Sequence, residues 1–152
     1  MLDQQRLLAL FRYDAERGLL ISLRTGEAAG CLNNRGRRVI GVDGKLYRAA
    51  RLIWLIERGD WPAGLLDHKD TNPSNDRIDN LREATPTQNN ANRKPTKLFK
   101  GATFHKRSGK WRAQIKFQGK TTEIGTYRTA AEAHAAYRLK AAEVFGEFAR
   151  TT

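Results

Sequence analysis

The sequence predicts an α+β protein in two parts: an N-terminal region of short helices and hairpins, and a small three-stranded antiparallel sheet with one packed helix. Three observations predict it. Residues 110–117, KWRAQIKF, alternate apolar and polar side chains, the mark of a strand with one buried face. Residues 51–58, RLIWLIER, carry an apolar stripe at helical spacing and meet a stop at Gly59. Between them, residues 65–93 are crowded with Asp and Asn, which favour turns and separate the two patterns.

Taken in order, residues 3–11 place Leu7, Leu8, Leu10 and Phe11 on roughly one side of a helix, and Leu19 to Leu23 reads as a strand after Gly18. Residues 39–42 and 45–47, joined by Asp43-Gly44, form a hairpin signal with a tight turn. Thr85 before Pro86 marks a helix start. Residues 94–97 read as a polar linker. Residues 99–106, 110–117 and 121–127 follow as three strands, with Gln118-Gly119 as a turn. Thr129 with Glu132 three residues on is a capping box. The helix it opens runs to Phe145 before Gly146, with Ala133, Ala136, Tyr137 and Ala141 facing inward. The expected domains are therefore 1–93 and 99–152, with 94–98 as linker.

Composition narrows the function. The chain has 152 residues, and its one cysteine, Cys31, rules out an intramolecular disulfide and a Cys-rich zinc site. There is no apolar run long enough to span a membrane. The first residues lack a basic segment followed by an apolar one, so a cytoplasmic setting is expected. The net charge is +12 and uneven: residues 1–92 hold 14 Lys/Arg against 12 Asp/Glu, and residues 93–152 hold 14 against 4. A basic block of that kind meets a polyanion, because each neutralised phosphate releases a condensed counterion. Duplex DNA, structured RNA and a merely solubilising surface all stay open on charge alone.

The Asp/Asn stretch holds His68, the sole histidine of the first hundred residues, directly after Asp67. Asn80 follows twelve residues later and Asn89 nine after that. Phosphodiester hydrolysis needs a nucleophilic water, a base and positive charge on the phosphorane. A neutral imidazole and a hard cation on oxygen ligands supply the last two. Adjacent residues of a strand point to opposite sides, so Asp67 and His68 serve one site only if the backbone bends there. A satisfied structural Asp–His pair in a turn-rich segment fits the same residues.

The segment YRAARLIWLIERGDWP followed by LLDHKDTNPSNDRIDNLREATPTQNNAN resembles the phage and bacterial HNH homing endonucleases, and its D-H…N…N spacing resembles their ββα-metal nickases. That resemblance covers about residues 13–92. It implies short strands at residues 66–68 and 81–84, with a helix from Pro86. It also implies Asp67 and Asn89 as ligands of Mg²⁺ or Mn²⁺, His68 as general base, and Asn80 holding the loop and orienting His68, with Arg51 retained from the family pattern. Ala50 departs from it, because the family commonly has His before that Arg. A single site in a short chain implies nicking of one strand, with monomer and dimer both open.

Residues 98–150 resemble the AP2 DNA-binding domain through GKW-x-A-x-I, IGTY and TAAEAHAAY. In that fold the sheet enters the major groove and the helix packs behind it. Arg112, Gln114 and Lys116 project away from the helix by alternation, with chemistry suited to phosphates and base edges. The resemblance adds Lys100, Thr103, His105, Arg107, Thr121 and Glu123 as DNA contacts. The plant pattern carries more Arg and a Trp at these positions, so the target sequence does not transfer. Trp111 has the phase of a core residue, and His105 and His134 lack partners at metal spacing. The combined expectation is a site-specific DNA endonuclease. A DNA-binding regulator keeping an inactive or weakened HNH shell is the alternative, and a basic RNA-binding protein stands third.

Overall fold

The computed structural model describes residues 2–93 and 98–150. The expected linker thus lies outside the described residues, except for exposed Leu98. The chain folds as two compact units, residues 1–84 and 85–152. No helix among the described residues is long and apolar enough to cross a membrane.

The first unit begins with α1 (Gln4–Leu8), capped by the Asp3 side chain, which accepts from the Arg6 N–H. Phe11 belongs not to that helix but to β1 (Phe11–Asp14), which pairs antiparallel with β2 (Leu19–Ser22). The run LLALF fits a short helix and the start of a strand equally well. Strand pairing decides it, by setting Phe11 opposite Ser22. Next come β3 (Cys31–Leu32), β4 (Arg38–Val42) and β5 (Lys45–Arg48), one antiparallel sheet in the order β3-β4-β5. The β4–β5 turn has both Asp43 and Gly44 at positive φ, as a two-residue primed turn requires.

Helix α2 (Ala49–Arg58) follows at once and ends at Gly59, whose left-handed φ of 85° lets its N–H reach Leu55 O. Its stripe of Leu52, Ile53, Leu55 and Ile56 packs with Leu7, Leu20, Ile40 and Val42 to form the core of this unit. Burying each such side chain contributes about 1.5–3 kcal/mol. On this scaffold sits the antiparallel pair β6 (Leu65–His68) and β7 (Leu81–Ala84), with a 3₁₀ turn at Ile78–Asn80 leading into β7.

The second unit opens with α3 (Pro86–Asn92). Thr85 caps it and Gln88 closes a capping box, the Thr85 hydroxyl accepting from Gln88 N and the Gln88 side chain accepting from Thr85 N. The contact division therefore falls before α3. Three strands follow, β8 (Ala102–His105), β9 (Lys110–Phe117) and β10 (Lys120–Tyr127), in the order β10-β9-β8. Helix α4 (Ala130–Phe145) starts at the Thr129–Glu132 capping box and packs on this sheet. Ala102, Ala113 and Ala133 form the contact, with Phe99, Trp111, Ile124, Tyr127 and Ala136 around it. Small residues let helix and sheet approach closely. At Gly101 the approach is tightest: φ is +78°, and a Cβ there would lie 2.1 Å from the Tyr137 ring.

Candidate active site

Asp67 and His68 end β6 and are both buried, at 5% and 6% exposure. Adjacent strand residues are normally buried together only when both faces of the strand are covered, and each here meets its own partner. Asp67 lies opposite Arg82 of β7, whose Nε and Nη2 donate to Asp67 Oδ2 at 3.0 and 2.9 Å. Two guanidinium nitrogens thus share one carboxylate oxygen and fix the carboxylate. His68 lies opposite Leu81, and its Nε2 is 2.8 Å from Oδ1 of Asp76. Asp76, at 2% exposure, is more deeply buried than either. The β6–β7 register runs without a shift from Leu65↔Ala84 to His68↔Leu81.

An ionised carboxylate can only accept, so the His68–Asp76 contact assigns the imidazole proton to Nε2. A neutral imidazole with its proton on Nε2 would have Nδ1 as its basic nitrogen. Nothing in the sequence singles out Asp76. Its only signal was a place in a run that also holds Asp70 and Asp79, and spacing cannot rank three carboxylates by burial.

Asn80 organises the loop between the two strands. Its Oδ1 accepts from Asp70 N at 3.1 Å, while its Nδ2 donates to Asp70 Oδ1 at 3.0 Å and to Asn75 O at 2.8 Å. Lys69 N donates to Asn80 O, and Thr71 N to His68 O, both at 2.9 Å. The loop bearing Asp76 is thereby tied at both ends. Burial works against ionised Asp70, but hydrogen bonds from Asn75, Asn72 and Asn80 outweigh it and hold its carboxyl below the usual range. Arg51, on α2, donates from Nη1 to Gly64 O at 3.3 Å and lies over the Trp61 ring, 5.6 Å from its centroid. It thus steadies the approach to β6. Ala50 is buried on the same helix, at 6% exposure.

Among the described residues no three His, Cys, Asp or Glu side chains gather as a metal cage. A set with one carboxylate at its heart still suits Mg²⁺, which keeps several waters and takes further oxygens from substrate phosphates. Asn89, the other expected ligand, lies half-buried on α3 in the second unit, with its N–H donating to Thr85 O.

The strand pairing of the second unit sorts the remaining expected contacts. Thr103 pairs with Arg112, His105 with Lys110, Gln114 with Glu123 and Lys116 with Thr121. By alternation these residues share the face opposite the Ala102–Ala113 contact with α4. Arg112 Nε stands 3.1 Å from Glu123 Oε2, and His105 Nδ1 is 2.9 Å from Ser108 Oγ. Arg107 is exposed in the β8–β9 turn. Lys100 is engaged differently: its Nζ donates to Ala91 O and, at 3.2 Å, to Arg93 O at the end of α3. Burial, with Arg150 adding to it, lowers the Lys100 pKa.

Three comparisons bear on descent. A family described as HNH endonuclease matches residues 47–91. Protein 3.8 of Escherichia phage T7 is 33% identical over 114 residues, spanning 70% of this chain and 93% of that protein. An uncharacterized HNH endonuclease of Acanthamoeba polyphaga mimivirus is 36% identical over 107 residues, again 70% of this chain but 57% of that longer protein. No solved structure matches the chain significantly. The matched family segment holds Arg51, Asp67, His68, Asn80 and Asn89, the residues on which the site was built, and the chain belongs to the HNH endonuclease family.

Proposed function

We propose that the chain is a site-specific DNA endonuclease of the homing type that hydrolyses one phosphodiester bond per active site with a single divalent cation. The observation that carries this reading is the buried His68–Asp76 pair beside Asp67. Asp67 and Asn89 would hold the ion, Mg²⁺ or Mn²⁺, as the hard donors indicate. When bound, it supplies positive charge for the phosphorane and the leaving 3′ oxygen. His68 Nδ1 takes the proton from the attacking water as its oxygen bonds to phosphorus and the P–O3′ bond breaks. Asp76 keeps the tautomer that leaves Nδ1 basic, and it stabilises the imidazolium once formed. Asn80 keeps the loop in place, and Arg51 supports the entry to β6.

The second unit delivers the DNA in this reading. A three-stranded antiparallel sheet packed by one helix supports reading it as an AP2-like module, in which Thr103, His105, Arg107, Arg112, Gln114, Lys116, Thr121 and Glu123 would supply contacts to duplex DNA. Nicking of supercoiled plasmid, with and without EDTA, tests the proposal. The wild-type chain nicks and His68→Ala reduces nicking at least 100-fold, in keeping with loss of a general base, while binding is retained. Intact DNA binding with no nicking by the wild type would instead identify a regulator with a silent HNH shell. In that event Ala50→His tests whether the departure at that position is the cause.

A further inference from the structure

We propose that Arg37, Arg48 and Arg35 form a phosphodiester-binding site on the first unit, beside the loop that holds Asp76, and that it grips the DNA backbone near the scissile bond. The location relative to the cut rests on the nuclease reading; the anion site itself does not.

The placement follows from the turn between β3 and β4. Asn33 folds it tightly: its side-chain Oδ1 accepts from Arg35 N at 2.9 Å and Arg37 N at 3.1 Å, and its own N–H donates to Arg37 O at 2.9 Å. Arg37 thus enters β4 in phase with Val39, and Val39 pairs with Arg48 of β5. By alternation Arg37 and Arg48 rise from the same face of the sheet. The turn lies against the Asp76 loop, since a Cβ on Gly36 would sit 3.4 Å from Pro73 Cγ.

Charge is unbalanced there. Arg37 is half-buried, and burial lowers its pKa, with Arg48 and Arg35 pushing the same way and Asp76 alone opposing them. Asp76 is already committed to His68. Among the described residues none of the three guanidinium groups makes a hydrogen bond or ion pair, whereas Arg6, Arg17, Arg77, Arg82 and Arg112 all pair with carboxylates. Arg38, their neighbour, donates instead to Ala29 O and Gly30 O. Each guanidinium has five donors in a rigid fork, and on these three no protein acceptor among the described residues occupies it. A phosphate supplies both the charge and the paired oxygens that the fork fits.

The test is the salt dependence of binding by the full chain to a duplex of about 30 base pairs. The slope of log K against log salt counts neutralised phosphates at about 0.9 each. Arg37→Met with Arg48→Met flattens the slope by about 0.9 to 1.8, and Arg37→Lys with Arg48→Lys leaves it unchanged. A circular dichroism melt confirms that both variants fold; should the Met pair not fold, the Gln pair serves in its place. An unchanged slope in the neutral pair overturns the anion site, even if plasmid nicking is normal. A wild type that binds but does not nick overturns the nuclease reading, and the slope still decides the site.

Discussion

His68 gains its proposed role from what stands behind it. With Nε2 bound to a carboxylate at 2.8 Å, the imidazole is held in one tautomer and one orientation. Asp76→Asn keeps the volume but can present an amide donor, which favours the opposite tautomer. We expect kcat to fall by roughly 100- to 10,000-fold with little change in KM, as when a triad carboxylate is neutralised. Single-turnover nicking at saturating protein measures it. A purely structural Asp76 would instead lower the melting temperature and leave kcat of the folded fraction intact. His68, Asp67 and Asn80 were legible in the sequence because the motif fixes their spacing. Asp76 was not, because its importance lies in burial among chemically identical neighbours.

The β6–β7 hairpin shows why an element can contradict a simple expectation about its residues. A bend was expected if Asp67 and His68 were to act together, yet the register is regular and the two side chains have different partners. What meets His68 is the loop between the strands, through Asp76, and that loop is fastened by Asp70 and Asn80. Loops built on side-chain hydrogen bonds leave no periodic signature, so this arrangement was invisible in the pattern; β3, two residues long, was missed for a similar reason. The Asp70 hydrogen bonds carry a pH prediction. The folded carboxyl lies below its ordinary value of 3.8, so the unfolded chain binds a proton first as pH falls. Its contribution is complete above that ordinary value and is lost as pH drops through the lower folded value. An NMR titration of the Asp70 carboxyl should therefore give a midpoint below 3.8, and a midpoint at or above it would refute the fastening described.

At the scale of the molecule, each unit carries its own apolar cluster, and the two clusters share no residue. The sheet-and-helix half was readable almost element by element, because alternation in β9 and the Thr129 box are local signals. The placing of α3 was less so, since the contacts that group it with α4 span many residues. Separate clusters predict separable stability. Leu52 has no exposed surface in the first cluster, and Leu52→Ala should cost that unit about 2–5 kcal/mol. Gly101→Ala acts on the second unit, by forcing a Cβ into the Tyr137 ring at a backbone angle that disfavours side chains; about 1–3 kcal/mol is expected. Each substitution should lower the melting of its own unit, read by amide exchange of β4 or of β9, and the double variant should show both losses added. A single transition that moves as one with either substitution would mean that the two cores unfold as one cooperative body.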